Sequence, residues 1–224
     1  MDVILSAFNF IMHLDKHLTD LANNAGVWTY LILFLVIFCE TGLVVTPFLP
    51  GDSFLFLTGS TLCASGDFNV IIVAIMLTFA SILGDTTNYH IGKLTGHKIA
   101  KMKNVPFLKR EHLVKTENFF EKHGGKTIII AKFIPILRTF TPFVAGAGAM
   151  NYPRFICYNI IGGVVWINLF IFGGYFFGNI PWVKNNFLIV ILAIIIMSFA
   201  PGLVAIINSK IEKRKNEEIV KNDN

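Results

Sequence analysis

The chain has 224 residues, of which 54% are hydrophobic and 15% are charged, and its formal net charge is +5. Its mean hydropathy is +0.64. These figures exclude an intrinsically disordered chain, a collagen-like repeat and a small disulfide-linked secreted module, because each has a very different composition. Water-soluble domains typically carry about 25% charged residues, so much of this chain's surface is expected to face lipid.

An amphipathic helix is predicted at the start of the chain, over residues 1–25. Its apolar side chains recur at helical spacing, with polar side chains on the opposite face. The apolar face comprises Ile4, Ala7, Ile11, Leu14, Leu18 and Leu21, and the polar face Asn9, His13, Lys16 and Asp20. This pattern is typical of a helix that lies along a membrane surface.

Four later segments are predicted to cross a membrane, because a helical span needs roughly 20 apolar residues. Residues 155–183 and 187–209 contain no Asp, Glu, Lys or Arg. Residues 27–45 and 68–92 are each interrupted by one acid, Glu40 in the former and Asp85 in the latter. We therefore expect an all-α, polytopic membrane domain over residues 26–208.

The basic residues predict the orientation of this domain. Nine of the 19 Lys and Arg residues lie within residues 93–126, and five more within residues 210–221. By the positive-inside rule, the basic segment 93–126 and the tail 209–224 are expected in the cytoplasm. Because segment 93–126 lies between spans, a topology signal or contact with anionic lipid headgroups explains its charge better than nucleic-acid binding does.

A re-entrant hairpin is predicted over residues 127–150. If segment 93–126 and the tail share one side, the intervening chain crosses the bilayer an even number of times. Residues 127–150 should then enter and leave on the same side. Their own sequence agrees, because Pro135 and Pro142 interrupt helical hydrogen bonding in a segment that also carries charge.

A second hairpin is predicted in the first half, over residues 46–65, entering from the opposite face. It contains Pro47, Pro50 and Gly51. Paired interrupted segments in two halves of a chain point to a transport site near the membrane midplane. Alternatively, residues 27–65 form one long hairpin, which changes the side of the N-terminus and leaves the site argument intact.

Five ionisable side chains fall inside apolar segments and are the candidate site. On insertion scales, charged Asp, Lys and Arg types cost about 2.5–3.5 kcal/mol each at the bilayer centre, so five unpaired charges would cost on the order of 10–15 kcal/mol. They must therefore pair, accept protons or line water. They are Glu40, Asp52, Asp85, Lys132 and Arg138.

The two cations, Lys132 and Arg138, are predicted to lie before the tip of their hairpin and to form a site for an anion such as phosphate. Glu40 and Asp52 are expected to balance them without a ligand, and either acid could couple movement to a proton gradient. The alternative is a set of salt bridges that only holds the hairpins together. For Arg138 we favour function, because a purely structural helix needs no proline breaks.

Asp85 has two interpretations. It either faces the cavity or a proton relay, or it is a polar cap at the cytoplasmic end of a span. The polar cap is preferred, with Gly92 and Gly96 allowing close helix packing. No metal site, cofactor or catalytic nucleophile is indicated, and Cys39, Cys63 and Cys157 are too far apart for a zinc cluster or a disulfide framework.

The residues that carry these features resemble the DedA family, the bacterial branch of the proteins with the VTT or SNARE-associated domain. The similarity extends from about residue 27 to residue 207. The matching motifs are Glu40 with Pro47 and Pro50-Gly51-Asp52, Gly84-Asp85 with Tyr89, Gly92 and Gly96, and Lys132-Phe133-Ile134-Pro135 with Arg138-Thr139, Pro142 and Ala145-Gly146.

The resemblance implies a multi-pass protein of the bacterial inner membrane with two opposed re-entrant hairpins. It also implies lipid movement across that membrane, with undecaprenyl phosphate recycling and phosphatidylethanolamine transfer as family activities, driven by the proton or sodium gradient. The family's important acids correspond to Glu40 and Asp52, and its important basic positions to Lys132 and Arg138. The family usually has Arg where this chain has Lys132, which lacks the bidentate fork.

The leading hypothesis is therefore a non-enzymatic transporter of a phosphate-headgroup lipid, most simply undecaprenyl phosphate. One alternative is a phosphatidylethanolamine flippase or scramblase, in which Glu40, Asp52 or Asp85 meets the amine. Another is a membrane organiser or assembly factor that transports nothing. A lipid-phosphate hydrolase ranks behind both. Membrane lipids are the expected partners, and a homo-oligomer is possible.

Overall fold

The computed structural model describes residues 14–43, 51–101, 125–148, 150–186, 189–194 and 196. Within these ranges the regular structure is helical and contains no β-strand, which confirms the all-α prediction there. The main helices are α1 (Leu14–Ala25), α2 (Trp28–Gly42), α3 (Gly51–Leu57), α4 (Val70–Lys101), α5 (Lys126–Ala131), α6 (Pro135–Ala147), α7 (Tyr152–Phe177) and α8 (Pro181–Asn185). α3 runs directly into a π-helical segment, Thr58–Cys63.

Two helices, α4 and α7, are long and apolar enough to cross a membrane. The qualifying stretches are Val70–Thr95 and Tyr152–Phe177, each 26 residues long with a mean hydropathy of 2.0. At about 1.5 Å per residue, such a helix exceeds the hydrocarbon thickness of about 30 Å. These helices match the predicted spans 68–92 and 155–183. Most of the predicted span 187–209, and the tail 209–224, lie outside the described residues.

The first apolar segment forms a shorter helix than expected. α2 has 15 residues, or about 22 Å of helix, which is too short to cross the hydrocarbon alone. Residues 51–63 are helical throughout. α2 and α3 are the described helices on either side of residues 44–50, which the structure does not describe.

The second interrupted segment is a helix–turn–helix. α5 ends at Ala131, Ile134 has an extended backbone, and Pro135 begins α6, where its missing N–H removes no helical bond. The predicted break at Pro142 is wrong, because α6 continues through it to its end. The turn before Pro135 also places Arg138 after the tip of this helix pair, not before it.

α6 packs against α4 so closely that only glycine fits at two positions. A Cβ atom on Gly92 of α4 would lie 2.0 Å from the carbonyl oxygen of Phe143. A Cβ atom on Gly146 of α6 would lie 1.9 Å from the carbonyl oxygen of Tyr89. Each helix therefore presses a backbone carbonyl onto a glycine of the other, and the close packing predicted at Gly92 is confirmed.

α7 packs against the first interrupted segment in the same reciprocal way. A Cβ atom on Gly59 would lie 2.1 Å from the carbonyl oxygen of Ile171, and one on Gly174 would lie 2.0 Å from that of Phe56. At all four contacts the glycine follows the pressed carbonyl of its own helix by three residues. The two halves of the chain thus share a packing pattern, with α6 held on α4 and the helix beginning at Gly51 held on α7.

The described residues expose many large apolar side chains while charged ones are buried, a distribution unlike that of a water-soluble protein. Large hydrophobic side chains on the outer faces of α4 and α7 are exposed: Ile71, Ile72, Ile75, Phe79, Val164, Val165 and Leu169. Leu18 of α1 is buried in the apolar core together with Leu33 and Leu55. At Leu18, the apolar face of the predicted amphipathic helix is therefore covered by protein. Residues 1–13 of that prediction lie outside the described ranges.

The reciprocal packing on α7 predicts opposite outcomes for two adjacent glycines. Gly174→Ala would force a Cβ atom against the Phe56 carbonyl and should lower the free energy of unfolding by about 1–3 kcal/mol. Gly173→Ala is the matched control, because its Cβ atom would lie 4.0 Å from the nearest atom, Cδ2 of Phe56. Thermal unfolding of the purified proteins in detergent measures the difference, and equal stability of the two variants would contradict the packing described.

Candidate functional site

Arg138 is a buried cation whose guanidinium ties three parts of the chain together. It lies in the first turn of α6, and its side chain is 2% exposed. Its Nη1 donates to Oε1 of Glu40 at 2.9 Å, and its Nη2 donates to Oδ1 of Asp52. Its Nε–H donates to the carbonyl oxygen of Lys132 at 2.9 Å. Because Glu40 lies in the last turn of α2 and Asp52 in the first turn of α3, one side chain joins both of these helices to α6.

Lys132 is the second buried cation, in the turn between α5 and α6. Its Nζ pairs with Asp85 and also donates to Oγ of Ser81 at 3.2 Å. Its stem lies against α7 beside Gly162, where a Cβ atom would be 3.0 Å from Lys132 Cδ. The preferred interpretation of Asp85 as a polar cap is therefore wrong, because Asp85 lies in the interior of α4 with its carboxylate buried and paired with Lys132.

The position of the Glu40 carboxylate requires that residue 51 has no side chain. A Cβ atom on Gly51 would lie 2.1 Å from Oε1 and 2.3 Å from Oε2 of Glu40. The carboxylate therefore rests on the first residue of α3, which explains why glycine precedes Asp52. Pro47 and Pro50, the other predicted breaks of this segment, lie outside the described residues.

The five buried ionisable groups do not balance. Three carboxylates and two cations sum to −1 when all are ionised, from −3 and +2. Oε2 of Glu40 and Oδ1 of Asp85 also have no hydrogen-bond partner among the described residues. An excess of one carboxylate over the cations in a buried cluster is unfavourable, so protonation of one acid would lower its cost.

Trp166 is part of the site and was not predicted. It is fully buried in α7, and its Nε1–H donates to Oδ1 of Asp52 at 2.8 Å. Its ring lies 4.2 Å from Cζ of Arg138 and 5.9 Å from Nζ of Lys132. One indole therefore contacts both cations and one acid, although nothing in an uncharged span distinguishes a buried tryptophan from one that faces lipid.

Asn88 is a second residue that sequence reasoning missed. Its Nδ2 donates to the carbonyl oxygens of Thr41 at 3.3 Å and Thr139 at 2.7 Å, which links α4 to α2 and to α6. A signal for it exists, because Ser81, Asp85 and Asn88 are spaced four and three residues apart on one face of α4. A polar face on an otherwise apolar span marks the side that meets protein.

The site lies between two apolar clusters along α4. Val73 and Leu77 precede the polar face and belong to one cluster, and Tyr89 follows it and belongs to the other. The charged groups are therefore enclosed by protein and sealed from lipid at both ends of the polar face. Chemically, the arrangement presents guanidinium and ammonium donors that carboxylates occupy, so an anion can bind them only by replacing a carboxylate.

Comparison with known proteins agrees with this architecture. Residues 49–176 match the model of the VTT domain. The chain is 51% identical to "Protein DedA" of Escherichia coli K12 over 211 residues, which covers 94% of this chain and 96% of that protein. The chain belongs to the DedA family. It is thus a membrane protein, and its similarity to this family is not limited to single motifs but extends over most of the chain.

Two further relatives extend the DedA family comparison. The chain is 41% identical over 175 residues to an uncharacterized membrane protein of Mycobacterium tuberculosis, covering 77% of this chain and 76% of that protein. It is 33% identical over 162 residues to "Inner membrane protein YqjA" of Escherichia coli K12, covering 72% and 73%. No solved structure matches this DedA family chain.

The Lys132–Asp85 pair predicts a non-additive effect on stability. Lys132→Met leaves the Asp85 carboxylate buried without its cation and should cost about 3–5 kcal/mol. Asp85→Asn combined with Lys132→Met removes both charges and should recover much of that loss. Thermal unfolding in detergent measures Lys132→Met, Asp85→Asn and the double variant. Lys93→Met, on the exposed face of α4, is the control. A double variant whose loss equals the sum of the two single losses would show that the pair is not coupled.

Proposed function

We propose that this protein is a transporter that moves a phosphate-headgroup lipid across the bacterial inner membrane, with undecaprenyl phosphate as the favoured substrate. The observation that carries the proposal is the buried Arg138 guanidinium, which is bound by carboxylates from two other helical segments. A charged side chain at membrane depth is costly, so a buried arginine there indicates a functional role. Family membership supports a membrane role, and the phosphate chemistry is our inference from the cations.

Exchange of carboxylate for phosphate is the proposed binding step. Arg138 offers two Nη donors in a planar fork, which is a geometry that fits a phosphate monoester bidentately. Glu40 and Asp52 hold those donors when no lipid is bound, and a phosphate would take their place. Lys132 adds a second positive charge six residues away in sequence, as a point charge without a fork, so it contributes attraction more than orientation.

Coupling to an ion gradient follows from the charge balance of the site. A phosphate that displaces Glu40 and Asp52 from Arg138 would leave carboxylates buried next to a new anion, which is unfavourable. We propose that one or both acids take up protons, or together bind a sodium ion, when the headgroup binds. The excess of one carboxylate over the two cations supports this step, since it favours uptake of one positive charge.

Two re-entrant hairpins would give the headgroup access from both faces. We propose that α2 with α3, and α5 with α6, each enter and leave on one side, because every one of these helices is too short to cross alone. The shared glycine packing of the two halves supports opposed orientations. The basic segment 93–126 and the tail 209–224 would then be cytoplasmic. Lipid tails would remain in the bilayer, against the exposed apolar faces of α4 and α7.

An excess of carboxylates also keeps a second substrate class open. A zwitterionic headgroup, such as that of phosphatidylethanolamine, would place its phosphate on Arg138 and its amine on an acid that the cations do not neutralise. Competition for the purified protein separates the two lipids. Undecaprenyl phosphate should displace bound phosphatidylethanolamine, and the reverse order of affinity would favour the second substrate. Inorganic phosphate should not be released during either assay, because we propose a transporter and no enzyme.

Transport by reconstituted protein tests the proposal. Arg138→Ala should reduce the rate of undecaprenyl phosphate movement in proteoliposomes by at least about 100-fold, since two charged hydrogen bonds to the headgroup are lost. Arg138→Lys keeps the charge without the planar fork, and its transport rate should lie between those of the wild-type protein and Arg138→Ala. Arg154→Ala, which removes an exposed arginine at the start of α7, is the matched control and should transport normally.

Equal amounts of folded protein are established by size-exclusion chromatography before each assay.

Dissipating the imposed proton gradient, or replacing sodium with choline, should slow transport by the wild-type protein under one of the two conditions. Wild-type rates in Arg138→Ala at equal folded amount would overturn the assigned role of this residue.

A further inference from the structure

Trp166 joins both cations and one acid of the site from a helix that contributes no charge to it. Its indole is fully buried, its ring lies 4.2 Å from Cζ of Arg138, and its Nε1–H donates to Oδ1 of Asp52 at 2.8 Å. The same Oδ1 also accepts from Nη2 of Arg138. Guanidinium, carboxylate and indole therefore form a closed set of three contacts.

These contacts leave the guanidinium with one direction of approach. The indole covers one face of Arg138, and the Nε–H is bonded to the carbonyl oxygen of Lys132. Only the two Nη groups point to partners that can leave, namely Glu40 and Asp52. An anion that binds Arg138 must therefore arrive at the Nη edge and compete there with carboxylates.

Cation–π stacking differs from the ion pairs in one respect that matters for exchange. The carboxylates of Glu40 and Asp52 no longer bind Arg138 once a phosphate replaces them. The indole contacts the face of the guanidinium, so it does not compete with the phosphate and stays in contact. Stacking on tryptophan is the strongest cation–π contact that a protein offers, and it gains strength in a desolvated site. Trp166 therefore keeps the guanidinium in one orientation while its anionic partners change.

We propose that Trp166 is a positioning residue for lipid headgroup binding, which fixes the plane of Arg138 and restrains Asp52. This inference rests on the proposed function, because it assigns a role within phosphate recognition. A tryptophan that merely fills volume would need neither its N–H nor its ring face, whereas both are used here. Its effect on transport should therefore follow ring chemistry and not side-chain volume.

Two substitutions separate these roles. Trp166→Leu removes the ring and the N–H, and it should raise the KM for undecaprenyl phosphate roughly tenfold or more, while the maximal rate changes less than about threefold. Trp166→Phe keeps a ring face and should restore most of the affinity. Trp182→Leu, at an exposed tryptophan of α8, is the control and should leave KM unchanged. A KM for Trp166→Phe as high as that for Trp166→Leu would overturn the role of stacking.

A double-variant cycle distinguishes positioning from general packing. In an Arg138→Lys background the planar stacking partner is gone, so Trp166→Leu should raise KM by less than about threefold further. A purely structural tryptophan would instead produce the same fold-change in both backgrounds, and that result would overturn the inference. Variants are compared at equal folded amount, and a melting temperature is recorded for each.

Fluorescence provides a readout that does not depend on transport. The chain has three tryptophans, and Trp28→Phe with Trp182→Phe, both at exposed positions, leaves Trp166 as the single emitter. In phosphatidylcholine nanodiscs, undecaprenyl phosphate should change this emission saturably, and unphosphorylated undecaprenol should not. A silent Trp166 in a protein that still transports would overturn the positioning role alone. Wild-type protein that neither binds nor moves the phosphate lipid would instead overturn the proposed function.

Discussion

The arrangement of the whole molecule depends on burying the charge of Arg138. A guanidinium at membrane depth is tolerated only with close anionic partners, and its partners here come from the end of α2 and the start of α3. These two helices must therefore meet at the first turn of α6. Because Glu40 and Asp52 lie 98 and 86 residues from Arg138 in sequence, this one side chain ties the first half of the molecule to the second.

Glycine packing is what lets the helices come close enough to seal that charge. Where α4 crosses α6, and where α7 crosses the segment after α3, backbone carbonyls press directly onto glycines. Side chains at those points would separate the helices and admit lipid or water to the site. Van der Waals contact between backbones is also a main source of helix association in membranes, where lipid provides no hydrophobic driving force between helices. The same four contacts thus serve stability and enclosure together.

The charged members of the site were accessible to sequence reasoning because charge is conspicuous in an apolar segment. Glu40, Asp52, Lys132 and Arg138 stand out by their cost alone, and the structure brings them together. Trp166 carried no such signal, since an indole suits a lipid-facing surface as well as a buried one. Pro142 misled because a proline removes only one hydrogen bond, which a helix packed as tightly as α6 can lose without ending.

The two cations hold different parts of the molecule, and this has a consequence for movement. Arg138 is bonded to α2 and α3 through Glu40 and Asp52, whereas Lys132 is bonded to α4 through Asp85. A phosphate that takes over the Nη donors of Arg138 would break the ion pairs that join α6 to α2 and α3, and it would leave the bond between Lys132 and α4 in place. The exchange proposed above would therefore loosen the contact of α6 with α2 and α3 while its contact with α4 stays intact. Lysine at position 132 suits this division, because a single ammonium–carboxylate pair anchors one helix without offering a second fork that would compete with Arg138 for the headgroup.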